Sequence, residues 1–261
     1  MQPNGNIQMQ PALQQWIHDA HHFLKVVDQI PGWLEDVSGA VTLALFAEQT
    51  RQGTVGPLFE IGVFGGKYLS LLASQAVANG QKLIAIDPFI HFTEEAVRGH
   101  LNLIKFDEDT KIDLTCIKSL SGDILPEALI SALGGRASFA SIDGSHEYKD
   151  VFWDLRLADQ TVSPAGIIAV DDFMNAHDIG VAEATIQYLR SDWGSFVPFA
   201  YVANKLFLTG RSYAENYKDV VERYMLEEPD YLTAKTYRER AAIDRKMVEP
   251  MLAGHKVLVL P

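Results

Sequence analysis

The chain contains 261 residues, of which 48% are hydrophobic, and it carries a formal net charge of -12. This length and apolar content suffice for one sizeable core and exclude a disordered, collagen-like or coiled-coil chain. The acidic balance argues against a nucleic-acid partner, because binding to phosphates requires clustered Lys and Arg.

Two further features bear on the compartment of the protein. No window approaches the roughly 18 uninterrupted apolar residues of a transmembrane helix, so we expect no membrane partner. The first residues, MQPNGNIQMQ, lack the basic start and the apolar stretch of a signal peptide. We therefore predict a cytoplasmic protein.

Two helices are predicted before the first strand. Between residues 11 and 30, apolar side chains recur at spacings of three and four, which is typical of an amphipathic helix. These side chains are Leu13, Trp16, Ile17, Ala20, Leu24 and Val27. Pro31-Gly32 ends this helix. A second helix is predicted from about Leu34 to Gln52, with Gly53 as its C-cap.

Beyond these helices, short apolar runs alternate with segments that are mostly long enough for a crossover helix. The runs are PLFEIGV, KLIAIDPF, DLTCIKSL, ASFASIDG, GIIAVDDF and finally NKLFLTG. Repeated βα units of this kind form a parallel sheet covered on both faces, with right-handed crossovers. We therefore predict an α/β fold with a Rossmann-like, doubly wound and mostly parallel sheet.

The predicted organisation has three segments. Residues 1–53 form an N-terminal helical segment, residues 54–210 contain the sheet, and residues 211–261 form a helical extension packed on the same domain. The extension ends in HKVLVLP, which is predicted as a late strand. Its possible buried face consists of Val220, Val221, Tyr224 and Met225.

A glycine-containing turn follows the first predicted strand, where the sequence reads EIGVFGGK from Glu60 to Lys67. Glycines let the backbone approach a ligand closely, and the N–H groups that begin the next helix then face an anion. The spacing is not G-x-G-x-x-G, because Phe64 and Lys67 occupy the second and third glycine positions counted from Gly62. The turn alone is therefore weak support for a ligand site.

Acidic residues after the next two strands strengthen the case for a nucleoside ligand. Asp87 ends the second strand, where a carboxylate can accept hydrogen bonds from ribose hydroxyls, and Asp123 is placed to accept from an adenine amino group. Taken singly, these residues are a solvated strand end and a helix cap. Glu60 would suit the positive amino or sulfonium group of S-adenosylmethionine, whereas it would repel a pyrophosphate. The pattern favours S-adenosylmethionine over a dinucleotide.

A group of carboxylates is predicted at the ends of the fourth and fifth strands. Asp143 follows the fourth strand, and Asp171 and Asp172 follow the fifth. In a sheet of order 3-2-1-4-5 these strands are neighbours, roughly 4.8 Å apart, and their ends adjoin the ligand crevice. Three such carboxylates repel one another unless a cation lies among them or one is protonated. Oxygen ligands favour Mg²⁺, with Mn²⁺ or Ca²⁺ as alternatives, although capping and solvation explain an isolated Asp-Asp pair.

His146 lies three residues beyond Asp143. Its ordinary pKa is near neutrality, so its imidazole can take a proton from a hydroxyl as a methyl group is transferred. A divalent ion on that hydroxyl would lower the pKa of the hydroxyl and orient it. A base and a divalent ion acting together in this way suit the methylation of an alcohol. The alternative is that His146 only caps a helix or packs in the core.

These motifs together resemble the metal-dependent small-molecule O-methyltransferases, which include macrolide-sugar enzymes of the macrocin and mycinamicin type. The resemblance spans about residues 30–210, and its most specific part runs from Asp143 to Asp172. It implies a class I S-adenosylmethionine-dependent enzyme with Mg²⁺ or another divalent cation, in which residues 54–210 are the catalytic domain. It also implies a hydroxylated small-molecule substrate, a sugar or glycosylated natural product, and a homo-oligomer.

The resemblance assigns site residues in three groups. They are His146 and Asp143 for catalysis, Glu60, Gly62, Gly66, Asp87, Asp123 and Asp143 for the cofactor, and Asp143, Asp171 and Asp172 for the metal. The Ser or Thr that such enzymes often have two residues after Gly66 is replaced here by Tyr68, and Ser70 is predicted as a cofactor residue because it is near.

Three other functions are compatible with the same scaffold. An NAD-dependent oxidoreductase would need a glycine spacing that the turn lacks. A non-catalytic interaction module has no use for His146 together with three aspartates. A metal-dependent hydroxylase-like relative, acting on a different substrate, stays open.

Overall fold

The structure is a computed structural model that describes residues 11–104, 111–227 and 232–260, with the backbone alone at residues 11–18, 227 and 232. In this part of the chain the helices are α1 (Pro11–Val27), α2 (Asp36–Gln52), α3 (Lys67–Asn79), α4 (Glu94–Leu101), α5 (Pro126–Leu133), α6 (Tyr148–Thr161), α7 (Ile179–Arg190), α8 (Ala214–Glu227) and α9 (Leu232–Ile243). The strands are β1 (Leu58–Ile61), β2 (Leu83–Asp87), β3 (Leu114–Lys118), β4 (Ala137–Ile142), β5 (Val162–Val170), β6 (Phe196–Val202), β7 (Lys205–Gly210), β8 (Met251–Leu252), β9 (His255–Lys256) and β10 (Leu258–Leu260).

Eight of these strands form one sheet in the order β10-β6-β7-β5-β4-β1-β2-β3, while β8 and β9 form a separate hairpin. The predicted order 3-2-1-4-5 is confirmed, and these five strands are parallel. Strand β7 runs antiparallel to β5 and β6. The predicted α/β class, a Rossmann-like and mostly parallel sheet, is therefore confirmed.

The two N-terminal helices match their predicted positions closely. Helix α1 ends at Val27, and α2 begins at Asp36 and ends at Gln52. Gly53 is the C-cap of α2 with φ +69°, a left-handed conformation that glycine adopts without steric cost. The side chains of Leu13, Trp16 and Ile17 lie outside the described residues, whereas Leu24 and Val27 are buried as predicted.

Two apolar clusters cover the two faces of the sheet. One contains buried side chains of α2, α3 and α8, and the other contains side chains of α5, α6 and α7. The first cluster draws on all three predicted segments of the chain, for example Val41, Leu69 and Val221. The division into segments at residues 53 and 210 stays a prediction, because the core does not separate them.

The C-terminal part of the chain packs against the sheet. Its predicted buried face, Val220, Val221, Tyr224 and Met225, is buried in α8. Within the run HKVLVLP, the described residues form β9 and β10, and β10 pairs in parallel with β6 at the edge of the sheet. None of the described helices combines the length and the apolar character required to cross a membrane.

Candidate active site

A cavity of about 1470 Å³ lies at the carboxyl ends of β1, β2, β4 and β5, which is where doubly wound sheets bind ligands. Most of the predicted site residues line it: Glu60, Gly62, Asp87, Asp123, Asp143, His146, Asp171 and Asp172. Gly66 and Ser70 do not belong to the lining, and Ser70 is fully buried with its hydroxyl donating to the carbonyl of Lys67. A cofactor contact of Gly66 or Ser70 therefore stays a prediction.

The turn after β1 requires glycine for a specific geometric reason. Gly62 has φ +78°, and a Cβ atom there would lie 1.9 Å from the backbone oxygen of Asp143. Gly65 passes equally close to the preceding loop, because its Cβ would lie 2.2 Å from the oxygen of Pro31. The backbone of this turn is therefore packed between the loop before α2 and the end of β4.

The carboxylate of Asp87 holds this turn in place. Its Oδ2 accepts hydrogen bonds from the N–H groups of Val63 at 2.7 Å and Phe64 at 3.4 Å, and its Oδ1 accepts from Phe89 at 2.5 Å. A carboxylate has about four acceptor sites, so capacity for ribose hydroxyls is left. Asp87 thus has a structural role that the sequence did not predict, alongside its predicted role in cofactor binding.

Glu60 is the most deeply buried of the predicted cofactor ligands that line the cavity. Its side chain is 1% exposed, and among the described residues its Oε2 atom has no hydrogen-bond partner. Burial, followed by the charge of Asp143, raises the pKa of Glu60 well above its usual range. An unpartnered polar atom in the wall of a cavity marks a place for a polar group of a ligand.

The lining of the cavity contains a second buried acid that was not predicted from the sequence. Asp154 on α6 is 1% exposed and accepts a hydrogen bond from the hydroxyl of Ser121. Burial raises the pKa of Asp154 to about 7. Asp123 lies near Ser121 in a short 3-10 turn and is exposed.

The raised pKa of Asp154 predicts a pH-dependent loss of stability. Between pH values of about 4 and 7 the native protein keeps a proton on Asp154 that the unfolded chain releases, so the free energy of unfolding falls as pH rises. In Asp154→Asn this penalty is absent. Its free energy of unfolding relative to the original protein should rise by about 2–4 kcal/mol across that window in urea titrations.

The control for this measurement is Asp219→Asn, which changes an exposed acid on α8. Its stability should follow that of the original protein at every pH. Parallel curves for Asp154→Asn and the original protein would contradict the assignment.

The reacting end of the cavity brings His146 between three carboxylates. Its Nε2 atom lies 3.5 Å from Oδ1 of Asp143 and 3.3 Å from Oδ2 of Asp172, and its Nδ1 atom lies 2.8 Å from Oδ1 of Asp178. The side chain of His146 stays 36% exposed, so a ligand can reach it. Potential ligand atoms of Asp143, His146 and Asp172 lie within 4.8 Å of one another.

These surroundings raise the pKa values of both His146 and Asp143. The hydrogen bond with Asp143 is the main reason that the pKa of His146 rises to about 9, and the hydrogen bond with Asp178 adds to it. Burial, and then the charge of Asp171, raises the pKa of Asp143 to about 7. In this arrangement a protonated imidazole is stabilised, which is the state that a general base reaches after accepting its proton.

Asp178 was not identified from the sequence, because an aspartate immediately before a helix reads as an N-cap. In the structure it makes no cap hydrogen bond to α7. Instead, the amide of Asn175 donates to Oδ2 of Asp178 at 2.6 Å and to Oδ1 of Asp172 at 3.0 Å. Asn175 thereby links the two carboxylates that flank His146.

A cation was expected among the three predicted metal ligands. The structure places a positive charge beside one of them, Asp171, but this charge is the ammonium group of Lys205. This lysine begins β7, is 1% exposed, and places its Nζ atom 2.7 Å from Oδ2 of Asp171. Burial lowers the pKa of Lys205, but the charge and hydrogen bond of Asp171 act together with the charge of Asp143 and with Tyr68 to raise it by more, so the ammonium stays charged. The sequence NKLFLTG predicts only an apolar strand, because a lysine at the start of a strand gives no sign of being buried.

Comparisons with known proteins bear on the fold and the enzyme class. Residues 59–173 match the family model of a methyltransferase domain. The solved structure of the O-methyltransferase NovP superposes with a TM-score of 0.53 and 19% identity, over 64% of this chain and 77% of NovP. Cofactor-bound Rv0187 from MTB superposes with a TM-score of 0.50 and 14% identity, over 81% of this chain and 99% of Rv0187. No curated protein matches the chain significantly.

The fold is thus that of the class I methyltransferases, with the site at the carboxyl edge of a mostly parallel sheet. Residues 59–173 are similar to a methyltransferase domain, and the predicted enzyme class, an S-adenosylmethionine-dependent methyltransferase, is confirmed.

Proposed function

We propose that this protein methylates a hydroxyl of a small molecule, a sugar or a glycosylated natural product, with the help of a divalent cation. The observation that carries the proposal is the placement of His146, whose Nε2 faces Asp143 and Asp172 while Asp178 holds its Nδ1. Methylation of a weakly acidic alcohol requires a base for the hydroxyl proton. The neighbouring pair of carboxylates can hold a cation that makes this proton easier to remove. The structural similarity to NovP, an O-methyltransferase, is consistent with it.

A second group of residues in the lining fits S-adenosylmethionine, which supplies the methyl group when it is bound. Glu60 offers an unpartnered buried carboxylate atom to a positive group. Gly62 leaves no side chain between the turn and the ligand, and Asp87 keeps acceptor capacity for ribose hydroxyls. Asp123 is exposed in the lining, where it can accept from an adenine amino group.

His146 is proposed as the general base. Asp178 accepts a hydrogen bond from Nδ1, which orients the ring, and in the neutral imidazole the lone pair of Nε2 is then free for the proton of the acceptor hydroxyl. After the transfer the proton resides on Nε2, and the carboxylates of Asp143, Asp172 and Asp178 stabilise the resulting imidazolium.

Asp143 and Asp172 are the proposed ligands of the divalent cation. Carboxylate oxygens suit Mg²⁺, Mn²⁺ or Ca²⁺, and the atoms of these two residues lie close enough together to share one ion. When bound, such an ion lowers the pKa of a coordinated hydroxyl. Asp171 was predicted as a third ligand, but Lys205 already occupies its Oδ2 atom.

Asp172→Asn is the most informative test of the cation site. Asp172 has φ +54°, and asparagine tolerates this left-handed conformation, so the backbone should be preserved. Loss of one carboxylate charge should weaken Mn²⁺ binding by about tenfold or more, while affinity for S-adenosylmethionine stays within about threefold. Calorimetric titration of Mn²⁺ measures the first quantity.

Asp192→Asn serves as the control, since Asp192 is exposed and does not line the cavity. Unchanged Mn²⁺ affinity in Asp172→Asn would remove Asp172 from the cation site.

The experiment that tests the function as a whole is calorimetric titration of S-adenosylmethionine, with and without Mg²⁺, followed by assays on hydroxylated acceptors. We expect stoichiometric binding of S-adenosylmethionine, no binding of NAD⁺, and methyl transfer that stops when the cation is chelated. Full activity in the presence of a chelator would contradict the cation, and methyl transfer only to nitrogen acceptors would contradict O-methylation.

A further inference from the structure

The turn between β6 and β7 contacts the acidic segment after β5 at three points. The Nζ atom of Lys205 lies 2.7 Å from Oδ2 of Asp171, and the side-chain amide of Asn204 donates to Oδ1 of Asp172. The N–H of Phe173 donates to the carbonyl of Asn204 at 3.1 Å. Residues 203–205, named the clamp turn here, therefore hold three consecutive residues of the site.

Lys205 supports Asp172 indirectly, because it contacts Asp171, which in turn contacts Asp172. While Oδ2 of Asp171 faces the lysine, its Oδ1 accepts the N–H of Asp172 at 3.1 Å. Asp172 needs such support, because its φ of +54° lies in the left-handed region that non-glycine residues seldom adopt. The conformation directs Oδ2 of Asp172 to Nε2 of His146, 3.3 Å away.

A contact on the core side also holds the ammonium group of Lys205 in place. Its Nζ atom lies 4.2 Å from the centre of the Tyr68 ring, a distance typical of a cation–π contact. The hydroxyl of Tyr68 is 2.9 Å from Oγ1 of Thr42, so helices α2 and α3 fix the ring. A buried ammonium is costly unless it is paired, and all these contacts fix its position.

The C-terminal strand supports the clamp turn from the outside. Val202 pairs with Leu260 in the parallel ladder of β6 and β10, and the N–H of Ala203 donates to the carbonyl of Leu260 at 2.7 Å. Ala203 also has a left-handed φ of +53°. The late strand of the extension thus braces the turn that contacts the acidic residues.

We propose that Lys205 is a positioning residue for methyl transfer: it holds Asp171, and through Asp171 it sets the backbone of Asp172 so that this carboxylate faces His146. Asp171 is then part of the support and not a ligand of the cation. The inference rests on the proposed function, because it assigns to Asp172 and His146 the roles given above. None of the residue roles predicted from the sequence includes Lys205.

The first test is Lys205→Met, which keeps an unbranched side chain of similar length and removes its charge. We expect kcat to fall by about tenfold to 100-fold, since a small displacement of a catalytic group has effects of that order. Mn²⁺ affinity should fall about tenfold, while affinity for S-adenosylmethionine changes less than about threefold. Lys218→Met is the matched control, as Lys218 is also buried and paired, with Glu215 and Glu249.

The double variant Asp171→Asn/Lys205→Met distinguishes two roles of Asp171: support of the backbone of Asp172, and direct binding of the cation. The amide oxygen introduced in place of the Asp171 carboxylate can still accept the N–H of Asp172, and no unpaired buried charge is left. We expect the double variant to recover Mn²⁺ affinity to within about threefold of the original protein and to unfold at a higher urea concentration than Lys205→Met alone. It also provides a folded protein if Lys205→Met does not fold.

Two results would overturn the proposal. One is a double variant that loses Mn²⁺ affinity as fully as Asp172→Asn does, which would make Asp171 a ligand. The other is Lys205→Met with unchanged kcat and Mn²⁺ affinity. If the original protein binds no Mn²⁺, the proposed cation site fails by itself. In that case the urea midpoints of Asp171→Asn, Lys205→Met and the double variant still test the contact between the two residues. Effects of the single variants that do not add up to that of the double variant support the contact, and additive effects reject it.

Discussion

Replacement of His146 by alanine is expected to lower the rate of methyl transfer by about 100-fold to 10,000-fold, the range usual for a general base. The variant loses the only imidazole nitrogen that faces both Asp143 and Asp172 in the described part of the chain. Affinity for S-adenosylmethionine should stay within about threefold, because the proposed cofactor contacts lie elsewhere in the cavity. Steady-state kinetics at saturating cofactor, paired with calorimetry, separate the two quantities.

The matched control is His177→Ala. His177 is exposed in the loop after β5 and does not line the cavity, so its removal should leave turnover unchanged. Turnover of His146→Ala equal to that of the original protein across the pH range would show that the base is another group.

Gly62→Ala is expected to have the second large effect, on cofactor binding and on stability together. The new methyl carbon would lie 1.9 Å from the backbone oxygen of Asp143, a distance that no real contact allows. The turn or the end of β4 must therefore move. We expect a fall in affinity for S-adenosylmethionine on the order of 100-fold, and a free energy of unfolding lower by about 3 kcal/mol or more.

Gly80→Ala separates the clash from the cost of backbone conformation. Gly80 has φ +60°, close to that of Gly62, but a Cβ there would meet nothing within 4 Å. Its substitution should cost only the roughly 1–2 kcal/mol of a left-handed alanine and leave cofactor affinity intact. Equal losses of stability in the two variants would mean that the contact with Asp143 is absent in solution.

The parts of the fold that could be predicted from the sequence are those with a local signal. Five parallel strands were visible as apolar runs, and Gly53 marked the end of α2. Strand β6 was not predicted, and it contains Pro198 at an irregularity in its pairing with β7. Proline within an apolar run argues against a strand, although it is tolerated at such irregularities.

Only those site residues that follow the ends of strands could be predicted from the sequence. Asp87, Asp143 and Asp172 lie at or just after strand ends, so topology brings them to one edge. Lys205 and Asp178 come from a strand start and a helix start, and their contacts depend on tertiary packing that no local pattern encodes. The three-segment division, the homo-oligomer and the cytoplasmic location stay predictions.

The close approach of Gly62 to Asp143 joins the two halves of the cavity mechanically. The backbone of the turn that faces the methyl donor rests directly on the residue proposed to hold the cation, with no side chain between them to absorb a displacement. A shift caused by one ligand is therefore passed to the binding site of the other. Linkage makes such an effect reciprocal, so the donor and the cation should each change the affinity of the protein for the other by the same factor.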